Sequence, residues 1–194
     1  MFKRMTSLVL LILLVSLVLV AVPGAQLVAQ PPPTRTPDVI FVPTPQEAVE
    51  KMLEVAGVKK GDVVFDLGCG DGRIVVTAAK KYGVRAVGVD IDPERVKESL
   101  ENVKKNKVEH LVTIIHGDIF TLKNLGEASV VTLYLLPDLN VKLMPQLAKL
   151  KSGSRIVSYE FDMRGAKPKQ VVKATTTDGR QFTVYRWDVP FEKE

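Results

Sequence analysis

Apolar and polar positions divide the chain into two regimes. Between Met5 and Thr34 there is no charged residue, and Leu8–Val22 is an apolar run broken only by Ser16. Beyond it, short apolar runs alternate with amphipathic stretches. Thr44-Pro45-Gln46-Glu47 has the marks of a helix start: a hydroxyl N-cap, a proline at the first helical position and a capping-box glutamate. Ala48, Val49, Met52, Leu53 and Ala56 follow at helical spacing, and Gly57 ends the repeat. Val63–Leu67 reads as a buried strand. Next come a helix over Ile74–Tyr82, a strand over Ala86–Val89, and a helix from Asp92-Pro93 to about Lys105. Strands over Val112–Ile115, Val130–Leu135 and Arg155–Tyr159 follow, with a helix over Asp138–Leu150, bent at Pro145, between the last two. Val171–Ala174 and Phe182–Trp187 flank Asp178-Gly179 and read as a terminal hairpin.

Strands that alternate with helices and are apolar on both faces predict an α/β fold. Seven strands form a mostly parallel sheet with helices on both faces, closed by a C-terminal antiparallel hairpin. Residues 1–29 read as a signal peptide or a membrane anchor, because Lys3 and Arg4 precede the apolar run. Pro23-Gly24-Ala25 puts a proline where a cleavage site usually has a small residue, so cleaved and anchored forms both stand. Residues 30–42, with Pro31-Pro32-Pro33 and Pro37, read as a stiff spacer, and 43–194 as the folded domain. The expected location is therefore membrane-anchored or exported.

Composition narrows the function classes. Of 194 residues, 46% are hydrophobic and 25% charged, which excludes disorder and collagen-like structure. The net charge is +5, but Lys3 and Arg4 supply two of those charges, and no basic run exceeds a pair. A nucleic-acid partner is not expected. Cys69 is alone, which excludes an internal disulfide and a multi-cysteine zinc site; His110 and His116 lack ligand spacing, so no metal is expected.

The candidate chemistry follows the strands, because ligands of such sheets bind beyond the carboxyl ends. After the first comes Asp66-Leu67-Gly68-Cys69-Gly70-Asp71-Gly72-Arg73. Gly68, Gly70 and Gly72 let the backbone turn tightly and approach a ligand, and the loop opens a helix N-terminus. The spacing misses the dinucleotide fingerprint, because the third glycine comes one residue early, and no Gly-Lys-Ser/Thr follows. Asp66 is acidic in an otherwise apolar strand and could accept from a ligand ammonium. Asp90, with Ile91 beside it, is placed to hold ribose hydroxyls. Asp92 before Pro93 suits a helix cap. Asp118 could accept from an exocyclic amine, and Ile119 could pack on a purine.

Together these residues resemble the class I S-adenosylmethionine-dependent methyltransferases, whose fold is Rossmann-like. Val42-Pro43-Thr44-Pro45, Gly68-Cys69-Gly70-Asp71-Gly72-Arg73 and Tyr134-Leu135-Leu136-Pro137 resemble the small archaeal and mitochondrial protein-lysine methyltransferases. The resemblance implies S-adenosylmethionine as cofactor, held by Thr44, Asp66, Gly68, Gly70, Gly72, Asp90, Ile91, Asp118 and Ile119. It also implies a lysine of a protein substrate as acceptor; a small-molecule or membrane-associated acceptor, or cofactor binding without catalysis, are the alternatives. Acceptor-side candidates are Tyr134, to orient the amine, and Glu160 and Asp162, expected on one face of an extending strand. Asp138 suits a helix N-cap, and Cys69 a space-filling role.

Overall fold

A computed structural model describes Gln26–Val28 and residues 35–194. The central strands are built mainly of apolar residues, most of them β-branched. These are β2 (Val63–Leu67), β3 (Arg85–Asp90), β4 (Val112–His116), β5 (Val130–Leu133) and β6 (Arg155–Tyr159). β8 (Gln170–Thr175) and β9 (Gln181–Asp188) make the expected hairpin, with Gly179 at φ +87° in its turn. These seven strands are the expected sheet. An eighth, β1 (Gln26–Val28), runs parallel to β4 at the edge. The order is β1-β4-β3-β2-β5-β6-β9-β8, parallel up to β6 and antiparallel in the hairpin. β7 (Ala166–Lys167) and β10 (Glu192–Lys193) pair separately.

From β2 the chain works outward through β3 to β4, then returns to place β5 on the other side of β2. That reversal opens a crevice at the carboxyl ends of β2 and β5. α1 (Gln46–Val55), α2 (Arg73–Tyr82) and α3 (Pro93–Lys105) pack an apolar layer on one face, around Met52, Val75 and Val103. α4 (Pro137–Leu147) covers the other, where Leu143 and Leu147 meet Phe65, Leu133 and Trp187.

Several expectations need correction. Residues 1–25 and 29–34 of the leader and spacer lie outside the described residues, while Gln26–Val28, assigned to the leader, pairs into the sheet. Leu8–Val22, the run expected to meet the membrane, lies outside the described residues, and no helix of the described residues is long and apolar enough to cross one. The spacer does not stand clear of the domain: Pro37 to Val42 line the crevice. α1 starts one residue late, with the Pro45 carbonyl accepting from the Val49 amide and no side-chain cap. Thr44 is therefore not the cap, and Glu47 accepts instead from the Thr177 hydroxyl at 2.7 Å, a tertiary donor that outcompetes the local one. Asp138 is not a cap either: α4 begins at Pro137, and Asp138 pairs with Arg164. Asp92 does cap α3, accepting from the Glu94 amide at 2.8 Å. Glu160 and Asp162 do not share a strand face. β6 ends at Tyr159, Glu160 turns to φ +64°, and the Phe161 amide donates back to the Tyr159 carbonyl at 2.8 Å, a γ-turn.

Candidate active site

The loop after β2 is pinned from below. The Gly68 and Cys69 amides donate to the Val89 carbonyl at 2.8 and 2.9 Å, tying the loop to the end of β3. Ser99 of α3 donates to the Gly70 carbonyl at 2.7 Å. Gly70 sits at φ +55°, and a Cβ there would lie 2.2 Å from the Phe41 ring, so this glycine gives room for close approach from above. Gly72 is the left-handed N-cap of α2. Cys69 is buried and its thiol is pushed well up by burial, so it fills space rather than attacking.

Two carboxylates close the crevice. Asp66 is 2% exposed and accepts from the Thr132 hydroxyl at 2.7 Å. Burial, with the charges of Asp90 and Asp71, lifts its pKa to about 7. Asp90 accepts from the Gly70 and Asp92 amides at 2.8 and 2.9 Å. Burial pushes its pKa up as well, against the pull of those amides. Each oxygen keeps a second lone pair for a ligand hydroxyl.

The crevice encloses ≈ 100 Å³, and its wall unites Thr44, Asp66, Gly68, Asp90, Ile91, Ile119 and Tyr134. Gly70 and Gly72 shape the loop behind that wall. Asp118 stands apart from it: its carboxylate receives Arg35 Nε and Nη2 at 2.7 and 2.9 Å, and that guanidinium holds its pKa below the usual carboxylate range. Sequence reasoning missed Arg35, Phe41 and Arg95, which also line the crevice. The Arg95 guanidinium stacks 4.8 Å over the Phe41 ring. Such a contact between distant segments leaves no periodic signal along the chain.

These groups fit S-adenosylmethionine. A buried carboxylate is complementary to its ammonium and a strand-end carboxylate to a pair of hydroxyls, the glycine turn leaves room for a close approach, and Ile91 and Ile119 offer apolar surface. On the acceptor side, Tyr134 packs edge-on against Tyr159 at 4.7 Å and stacks on Phe161 at 6.2 Å. Tyr134 and Phe161, with Val39, Ile40, Val42, Leu136 and the acidic Asp38, line an adjoining slot of ≈ 260 Å³. Burial and then the Glu160 charge push the Tyr134 phenol up, so it stays protonated at neutral pH. Asp162 lies in a neighbouring depression with Asp38, Asp138 and Arg164.

Comparison with known proteins agrees with this geometry. Residues 66–170 match the ANTKMT methyltransferase domain. A Saccharolobus islandicus protein named protein-lysine N-methyltransferase is 49% identical over 152 residues, 77% of this chain and 92% of that one. A ribosomal protein L11 methyltransferase from Caldanaerobacter subterraneus is 38% identical over 91 residues, 46% of this chain and 28% of that protein. A crystal structure from Salinibacter ruber, described as an RNA methyltransferase in complex with S-adenosyl-L-homocysteine, superimposes with TM-score 0.71 at 47% identity, covering 78% of this chain and 95% of that one. Residue pattern, crevice and relatives converge: the chain belongs to the ANTKMT methyltransferase domain family and is an S-adenosylmethionine-dependent methyltransferase.

Proposed function

We propose that this enzyme methylates the side-chain amine of a lysine in a protein. The observation that carries the reading is the slot beside the cofactor crevice. Its aliphatic rim and its wall of Tyr134 and Phe161 suit a butyl chain that ends in a cation, which an aromatic face attracts by about 0.5–2 kcal/mol. The protein-lysine N-methyltransferase relative supports the same substrate class. An RNA acceptor, suggested by the description of the Salinibacter relative, fits the surface less well. Two of the three arginines that line the crevice stay paired with carboxylates that the cofactor does not claim in this reading, Arg73 with Asp71 and Arg95 with Glu98. They are not free to track phosphates.

The cofactor supplies an electrophilic sulfonium methyl group. In this reading Asp66 receives its ammonium, Asp90 its ribose hydroxyls, and Ile119 packs on the base; Asp118 serves its exocyclic amine once Arg35 releases it. The apolar slot strips water from the lysine, which lowers its pKa and favours the neutral amine. Tyr134 orients that amine. Glu160, whose charge reaches the Tyr134 phenol although it lines neither crevice nor slot, is the carboxylate assigned to take the proton, with Asp162 as the second candidate. The amine nitrogen then bonds to the methyl carbon as the carbon–sulfur bond breaks. Holding the reactants in line can remove roughly 7–11 kcal/mol of the barrier.

The test incubates the full chain with methyl-labelled S-adenosylmethionine and a cell extract, with and without ribonuclease or protease. Label in protease-sensitive material that hydrolyses to methyl-lysine supports the reading. Label confined to RNA, to small molecules, or absent overturns it. Tyr134→Ala is expected to lower turnover about 100-fold by releasing the acceptor from line. Membrane attachment through Leu8–Val22 belongs to the same proposal, supported by the charge-free run after Lys3 and Arg4, and fractionation with protease protection tests it.

A further inference from the structure

Behind the crevice wall, one polar contact joins β2 to β5. Asp66 and Thr132 are register partners in adjacent parallel strands, so their side chains stand side by side on one face. Thr132 is fully buried in a strand whose other members are Val130, Val131 and Leu133. A buried hydroxyl there is costly unless it is paired. It is paired with a carboxylate of the cofactor site: Thr132 Oγ1 donates to Asp66 Oδ1 at 2.7 Å, and the Phe65 carbonyl is a more distant partner at 3.4 Å. Asp66 lines the crevice, whereas Thr132 does not. Among the described residues Thr132 is the side chain that donates to Asp66, and it occupies one oxygen.

We propose that Thr132 is a positioning residue for cofactor binding: its hydroxyl holds the Asp66 carboxylate by one oxygen, so that the other meets the amino group of the methionine moiety. This rests on Asp66 as the ammonium acceptor in the reading above.

The contact also governs the charge of Asp66. The groups that act on it are Asp90 from the end of β3 and Asp71 and Cys69 from the glycine loop, and the same crevice is lined by Arg35, Asp38, Asp92, Arg95 and Tyr134. Arg73 is spent on Asp71, and the inward face of α1 is apolar. Burial and the two neighbouring carboxylates favour protonation of Asp66, and the Thr132 bond opposes it. Without the hydroxyl, Asp66 takes up a proton at a higher pH. A neutral acid then meets the cofactor ammonium more weakly.

The test measures calorimetric affinity of the full chain for S-adenosylmethionine from pH 6 to 9. Thr132→Val, which keeps a β-branched side chain in the strand, is expected to weaken binding about tenfold at pH 7 and to recover part of it by pH 9. Thr132→Ser, which restores the hydroxyl, is expected to stay within about threefold of the parent. In an Asp66→Asn background Thr132→Val is expected to add nothing. The positioning role is overturned if Thr132→Val keeps the parent affinity and pH profile while Asp66→Asn does not. It is overturned equally if its loss persists in full beside Asp66→Asn. If Asp66→Asn itself leaves affinity unchanged, the ammonium assignment falls with it. Should Thr132→Val fail to fold, Thr132→Ser against Thr132→Cys decides: affinity retained by serine and lost by cysteine supports the role, and equal affinity in both overturns it.

Discussion

At Gly70 backbone freedom and ligand approach coincide. Its φ of +55° lies where an L side chain is strained, by about 1–3 kcal/mol, and the space above it is filled by Phe41. Phe41 is 40% exposed and can swing aside, so the backbone is the harder constraint. Gly70→Val is expected to abolish cofactor binding by calorimetry while far-ultraviolet circular dichroism keeps its helical signal; an unchanged affinity would remove the loop from the site. Gly88 is as demanding. A Cβ there would come within 2.9 Å of Cys69 Sγ, so the strand yields space for the loop residue above it. Glu160 is a strained non-glycine residue, held in its γ-turn because its amide donates to the Thr183 carbonyl at 2.8 Å. That turn breaks the strand alternation which would have put Glu160 and Asp162 together.

Among the elements, the segment from Arg35 to Val42 has the most direct bearing on activity. It lies along the crevice with no regular secondary structure, held by Arg35 on Asp118, by Arg35 5.3 Å over the Phe120 ring, and by Phe41 under Arg95. The crevice it borders encloses ≈ 100 Å³, less than the roughly 300–1,000 Å³ of ligand pockets. Cofactor binding therefore asks the segment to shift, and Arg35 to leave the carboxylate assigned to the adenine amine. The pair is partly exposed, so it resists by no more than about 1 kcal/mol. Arg35→Ala is expected to tighten S-adenosylmethionine binding by up to roughly fivefold, measured by calorimetry at low salt. A weaker affinity in that variant would show that Arg35 assists binding instead.

For the molecule as a whole, two buried carboxylates respond to pH in opposite senses. Arg155 clamps Asp62 at 2.6 and 3.1 Å and also donates to the Ala56 carbonyl, joining β6 to the end of α1. Burial raises the Asp62 pKa, but Arg155, the Lys59 amide and the Ser129 hydroxyl together outweigh it and the net shift is downward. Its contribution is therefore present above the ordinary carboxylate pKa and lost as pH falls through the depressed value. Asp66, raised to about 7, does the reverse. The folded state binds its proton more tightly than the unfolded chain, so stability falls as pH climbs from about 4 to about 7. Asp90 shifts in the same direction. The cofactor-free protein is expected to melt several degrees higher at pH 5 than at pH 8. Asp66→Asn is expected to flatten that slope in scanning calorimetry. A melting temperature that climbs over this interval in the parent protein would contradict the burial argument.

Most of the architecture is local in origin and can be read along the chain. Apolar runs of strand length, amphipathic stretches at helical spacing, Asp92-Pro93, and the glycines that stop α1 and α2 depend on neighbours a few residues away, and their order already implies the parallel sheet. Asp66, the glycine loop and Asp90 are legible for the same reason: each lies at or just beyond the carboxyl end of a strand, which must point at the crevice. What only the tertiary structure decided are contacts between segments far apart in sequence. Arg35 meets Asp118 across 83 positions and Thr132 meets Asp66 across 66. Glu47 leaves its own helix for Thr177, and the proline-bearing spacer comes to line the crevice. Periodicity reports which face of an element is apolar. Which partner a buried polar group finds is set by the packing of whole elements, because burial without a partner costs more than any local preference can offset.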